Sequence, residues 1–221
     1  MKQSFQPHGT AQLSTSAQHQ LKLYALAASA AGVGVLALAQ TAEGKIVYTS
    51  AHKMVRLNHA LPIDLNHDGI HDFDVLNLSH HSTSPYGDYV AAEPLNSGNQ
   101  ILALGTRRGY GASALPAGSR VGPSAKQFRA GRDLMAYRSS ADSVFSGGPW
   151  KNVSKRYLGL KFLIKGKTHY GWARLNVTIT DQVNATLTGY AYETAADKSI
   201  VTGKTGSGTL GTLARGSRRS P

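Results

Sequence analysis

The chain has 221 residues, carries twenty-four Lys and Arg against twelve Asp and Glu for a formal net charge of +12, and contains no cysteine. That length suits one sizeable domain or two small ones, and a 41% hydrophobic fraction is too high for a chain disordered throughout. The lack of cysteine excludes a disulfide scaffold, a thiolate metal site and a cysteine nucleophile together.

The first element in chain order is apolar. Leu21 to Ala39 reads LKLYALAASAAGVGVLALA, uncharged after Lys22 and rich in small residues. Ala37-Leu38-Ala39 supplies the small side chains a signal peptidase accepts, so cleavage is expected before Gln40, with cleavage after Ala42 as a second choice. The alternatives are a retained anchor, for which the uncharged run is short, and an internal helix. A polar extension of about 20 residues precedes the run, longer than a usual signal n-region. The expected organisation is a signal peptide at 1–39, a β-rich mature domain at 40–202 and a flexible basic tail at 203–221. This implies a secreted or extracytoplasmic protein with no stable membrane span after cleavage. The positive charge favours anionic partners, but no helix-turn-helix, zinc-finger, RRM or KH pattern accompanies it, so specific nucleic-acid reading is not expected.

Lys45-Ile46-Val47-Tyr48-Thr49 predicts an opening strand, with His52 to Leu57 continuing it or pairing with it. Phe73 to Leu78 predicts another, with Phe73, Val75 and Asn77 on one face and Leu76 and Leu78 on the other. Residues 80–148 are rich in Ser, Gly, Pro and Ala and read as long surface loops, with short ordered segments at Gln100 to Gly105 and Phe128 to Tyr137. Tyr157 to Ile164 and His169 to Thr180, separated by a short Gly-containing polar segment, form a hairpin signature. In the second run Ala173, Leu175, Val177 and Ile179 share one face, opposite Trp172, Arg174, Asn176 and Thr178. Ala185 to Tyr192 supplies a further strand. The predicted fold class is all-β, an antiparallel β-sandwich-like single domain with long Ser/Gly-rich loops.

The sharpest motif is Asp64-Leu65-Asn66-His67-Asp68-Gly69-Ile70-His71-Asp72. Oxygen side chains recur at Asp64, Asn66, Asp68 and Asp72, Gly69 permits the turn, and Ile70 can offer its carbonyl while its side chain anchors the loop to the core. A hard Ca2+ ion takes several oxygens at such spacing, so these five residues are candidate metal ligands, with calcium fixing the connection between two strands. The EF-hand pattern also needs a Glu three residues after Asp72, where this chain has Val75. The alternative is an Asx-rich turn, because Asn, Asp and Gly satisfy ordinary turn geometry as well. His67 and His71 are expected to face solvent.

No catalytic residues can be assigned. His80-His81-Ser82 with Asp88 lacks the context of a nucleophile elbow, and Glu93 with Asp133 is a glycosidase pair only if folding brings them together. His169 could join a sugar-binding surface, whereas Trp172, Tyr190 and Tyr192 are explained by sheet packing. Asn77, Asn152, Asn176 and Asn184 open N-glycosylation acceptor patterns, which matter only in a host that glycosylates exported chains.

Taken together, Lys45 to Thr49, Ile63 to Phe73, His169 to Arg174 and Ala185 to Thr194 resemble a group of uncharacterised exported bacterial proteins. Some of these carry a PEP-type C-terminal sorting segment, which is absent here in its full form, so the resemblance implies release from the cell. Separately, Asp64, Asn66, Asp68, Ile70 and Asp72 resemble the calcium loop of FG-GAP repeats. The expected function is a secreted or cell-surface protein with a structural calcium loop and a binding or matrix role, its partner an extracellular glycan or cell-surface component. The alternative is an extracellular polymer hydrolase with unidentified catalytic residues.

Overall fold

The structure is a computed structural model that describes residues 44–80, 87–106, 109–139 and 145–206. The expected signal segment, His81-Ser82 and residues 207–221 of the tail lie outside the described residues. Fourteen strands are present among the described residues: β1 Ile46–Val55, β2 His59–Ile63, β3 Phe73–His80, β4 Gly87–Pro94, β5 Gln100–Thr106, β6 Gly109–Ala112, β7 Arg120–Val121, β8 Phe128–Arg129, β9 Asp133–Ser139, β10 Phe145–Gly147, β11 Val153–Ile164, β12 Lys167–Ile179, β13 Val183–Glu193 and β14 Ile200–Val201.

The main sheet runs in the order β1-β13-β12-β11-β5-β6-β9-β4-β3-β2, with β8 beside β5 and β10 beside β9. All its ladders are antiparallel except the parallel bridge Gly111↔Leu134 between β6 and β9. The strands at its two edges, β1 and β2, are neighbours in sequence. Three residues, Arg56 to Asn58, join them, with His59 N donating to Arg56 O at 3.1 Å and Asn58 at a φ of 58°. A sheet whose first and last strands share so short a turn must curl, so the ten-strand path nearly closes into a barrel. This corrects the expected two-sheet sandwich. Period-two burial says that one face of each strand is covered, which holds for a barrel wall as well as for a sandwich. The expected long loops are corrected too: the Ser/Gly-rich stretch supplies β4 to β10, and Gly87–Pro94 escaped notice because its DYVAA core is short and lies among turn-forming residues.

The interior is solid. Val75, Ile101, Met135, Trp150, Leu158, Phe162, Leu175 and Val177 pack in one cluster with the rest of the inward-facing side chains. Burying each large aliphatic or aromatic side chain contributes about 1.5–3 kcal/mol. Trp150 Nε1 donates to Ala112 O at 2.8 Å, so its one polar atom is satisfied.

The hairpin of β11 and β12 turns through Lys165 and Gly166 at φ of 49° and 75°, the two positive values that a type I′ turn requires. Along β12 the expected split of faces is present: Ala173, Leu175 and Val177 enter the interior, while Trp172 lies outside in a second cluster with Tyr157, Tyr170 and Ala191. The two-stranded sheet of β7 and β14 contributes Val121 and Ile200 to that cluster.

In β13 burial alternates without a break, yet the ladder with β12 shifts register between Arg174 and Leu175, leaving Thr188 unpaired. This bulge exchanges the faces. Val183, Ala185 and Leu187 belong to the barrel interior, whereas Ala191 belongs to the outer cluster.

Candidate functional site at one end of the barrel

One end of the barrel gathers the starts of β3, β9 and β12, the ends of β2, β4 and β13, and the motif loop after β2. Leu65, fully buried, plugs this end. Ile70, expected to anchor the loop, is instead 59% exposed, because its position at the turn tip points away from the wall.

The loop closes on itself. Asp64 accepts from Asp68 N at 3.3 Å and from Gly69 N at 2.9 Å, one bond to each carboxylate oxygen. Asp68 accepts from Ile70 N at 2.9 Å and from Asn66 Nδ2 at 2.8 Å, again one bond to each oxygen. Asp72 turns inward, is buried, and accepts from Leu65 N at 2.9 Å. Asn99, also buried, donates to Asp72 O at 3.1 Å and to Asp72 Oδ1 at 3.4 Å, and its own Oδ1 accepts from Leu163 N at 3.3 Å. Asn99 thus ties the loop to β11, and Asn96 Nδ2, donating to His71 O at 2.8 Å, ties it to the turn after β4.

The metal expectation is corrected by this arrangement. Among the described residues no group of three or more His, Asp or Glu side chains is placed to hold a metal ion. The carboxylates of Asp64, Asp68 and Asp72 accept hydrogen bonds in an Asx-type network, the turn chemistry that the same residues also satisfy. Asn66 Oδ1 is buried without a donor. It is one oxygen, where calcium takes six to eight. Burial pushes the Asp72 carboxyl up from 3.8 to about 6, with the negative charges of Asp68 and Asp64 adding to the rise and the Leu65 and Asn99 hydrogen bonds opposing it.

The remaining polar groups at this end are structural or dispersed. His67 and His71 are exposed, as expected, but His67 Nε2 also bonds Thr49 Oγ1 at 2.7 Å, and its ring lies 5.9 Å from that of Tyr190. His169 is buried, with Nδ1 at 3.0 Å from Glu193 O, and is therefore withdrawn from any sugar-binding surface. Glu193 is buried, accepting from Ala195 N at 3.1 Å and pairing with Lys198 at 3.5 Å.

Glu93 and Asp133 do not converge. Asp133 lies opposite Ala92 and is buried, with Arg129 Nε 3.7 Å away, whereas Glu93 points to the other face and pairs with Arg132 at 2.9 Å. Burial pushes the Asp133 carboxyl up, and Arg129 opposes that. The cross-strand neighbour of Glu93 is Asp74, raised by burial first and by the Glu93 charge, with His71 acting against both.

No protein-family model, curated protein or solved structure matches this chain. Among the described residues no helix is long and apolar enough to cross a membrane.

Sequence reasoning missed Asn99 altogether and missed the hydrogen-bonding roles of Asn77 and Arg174. Asn77 occupies an inward position of β3 and sends Nδ2 to Val55 O at 3.1 Å and to Val183 O at 3.0 Å, bridging three strands. An Asn among inward-facing apolar positions is the one signal that could have found it. Asn152, Asn176 and Asn184 are at least partly exposed, whereas Asn77 is buried and unavailable for modification.

Proposed function

We propose that the protein is an exported or cell-surface component that binds an extracellular glycan or cell-surface polymer without turning it over. The observation that carries this reading is the use of the polar side chains. At the barrel end, Asp72, Asn99, His169 and Glu193 are buried and spent on bonds that hold loops and strands, and the interior is packed with apolar groups. Catalysis requires acid, base or nucleophile to converge on a place a substrate can reach. Contact with a polymer requires only a fixed outer surface, which a rigid barrel wall supplies. Export is supported by the apolar, small-residue run Leu21 to Ala39 and its Ala37-Leu38-Ala39 cleavage pattern.

The test is retention of the purified chain on extracellular polymer fractions, with the release of reducing ends or other fragments followed in parallel. Saturable retention without release is expected. Turnover would replace this reading with the hydrolase alternative, and failure to bind any fraction would remove it.

A further inference from the structure

Outside the barrel, beyond the part packed by β7 and β14, the wall formed by β11, β12, β13 and β1 presents a polar face that no other described strand covers. The register places Tyr48, Arg174, Asn176, Thr178, Asn184 and Thr186 on it. On it lies Arg174, half-buried, whose guanidinium hydrogen-bonds only neutral groups among the described residues. Nε donates to Thr188 Oγ1 at 2.8 Å, and Nη2 donates to Thr188 O at 3.0 Å and reaches Tyr48 Oη at 3.4 Å. Thr188 Oγ1 returns a bond to Arg174 O at 3.1 Å.

Two irregularities make this possible. The bulge leaves Thr188 unpaired and turned to Arg174, and Gly189 makes room for the Tyr48 hydroxyl, since a Cβ there would lie 2.7 Å from Tyr48 Oη. The guanidinium is therefore fixed in position with no hydrogen bond to Nη1 among the described residues. The three ion pairs among the described residues lie elsewhere, at Arg129–Asp133, Arg132–Glu93 and Lys198–Glu193. A second cation, exposed Lys155, sits at the irregularity of β11 next to Asn176, its backbone N donating to Asn176 Oδ1 at 2.8 Å.

We propose that this face binds an acidic polysaccharide, with the carboxylate of a uronate residue on Arg174 and sugar hydroxyls on Asn176, Thr178 and Asn184. The assignment deepens the glycan-binding reading and rests on it. A half-desolvated guanidinium with no counter-charge among the described residues gains more from an anion than a solvated lysine does, and its hydrogen bonds already fix its orientation. The face carries sparse positive charge set among Asn and Thr side chains. That matches a chain with one carboxylate per sugar, whereas a densely sulfated chain or a nucleic acid calls for a continuous row of cations. The formal charge of +12 adds attraction at longer range.

The experiment is calorimetric titration of the full chain with oligogalacturonate at physiological ionic strength, beside dextran sulfate and neutral dextran. Arg174→Gln is expected to weaken oligogalacturonate binding by about tenfold or more. Lys155→Gln, which changes only an exposed side chain, is expected to weaken it about threefold and keeps the test open if Arg174→Gln fails to fold. Lys126→Gln, an exposed charge between β7 and β8 and so not on the strands that form this face, should change it by less than about twofold. Equal losses in the three variants, tighter binding of dextran sulfate that ignores Arg174, or no binding of oligogalacturonate would each overturn the assignment. The wider glycan-binding reading fails separately, only when no extracellular polymer fraction retains the protein.

Discussion

Between β11 and β13 the barrel wall is held by long antiparallel ladders of main-chain hydrogen bonds, whereas between β1 and β2 it is drawn together by a short turn and a few side chains. At the seam, Asn77 reaches Val55 O and Val183 O, Asn58 Oδ1 accepts from Ser79 N at 2.9 Å, and His67 meets Thr49. The ladders distribute the closure over many equivalent bonds, and loss of one leaves the rest. The seam concentrates it, so that one buried amide supplies the donors for two carbonyls on different strands. Closure of a sheet needs no continuous ladder all the way round, provided that main-chain carbonyls at the gap find donors, as Val55 O and Val183 O do, even though Asn77 Oδ1 itself is buried without a partner.

The largest effect that separates the two regions is expected from Asn77→Ala. Two carbonyls lose their donor in a buried place, at a cost of about 3 kcal/mol. Denaturant unfolding measures the loss, and hydrogen exchange measures where it falls. Exchange should quicken in β1 and β2 while β11 and β12 stay protected. Uniform quickening over all strands would mean that the seam is no weaker than the ladders and that the comparison is wrong.

The same contrast explains which parts of the fold could be read from the sequence. β12 was legible because Ala173, Leu175 and Val177 alternate with Trp172, Arg174 and Asn176, and alternation is a local property of a half-covered strand. Which strands meet is not local. The curl of the sheet depends on β1 and β2 being both sequence neighbours and opposite edges, and no pattern within either strand expresses that. The face exchange at Thr188 was hidden for a related reason: apolar residues continue at every second position, although those before and after the bulge serve different cores. In the motif loop, the residues that make a calcium ligand set also make a hydrogen-bonded turn. The sequence leaves both readings open, and the decisive partners, Leu65 N and Asn99, are set by backbone placement.

A smaller effect is expected from pH at the junction of loop and barrel. The Asp72 carboxyl is about 6 in the folded protein and 3.8 in its ordinary state, so the folded protein holds a proton that the unfolded chain releases between those values. The contribution to stability is therefore full below about pH 4 and is lost as pH rises through about 6, a change of about 3 kcal/mol at most. Asp74 and Asp133, both raised by burial, act in the same direction. Asp72→Asn cannot titrate, and the difference between its melting temperature and that of the wild type should vary with pH between about 4 and 6 and be flat above. A constant difference across that range would place Asp72 in solvent and undo its role as the inward tie of the loop.

The smallest effect is expected from Asp64→Ala, on the exposed side of the same loop. It removes the acceptors of Asp68 N and Gly69 N, which water can replace, so the cost is about 1 kcal/mol. The difference in melting temperature between wild type and variant is expected to be the same in chelator and in millimolar calcium, because the carboxylates already close the turn and Asn66 Oδ1 is a single unspent oxygen. A gain in stability on adding calcium to the wild type that disappears in Asp64→Ala would show a loop rebuilt around an ion. The variant loses the same two hydrogen bonds under either condition, so only the calcium-dependent part of the difference separates a turn closed by its own amides from one that opens to coordinate.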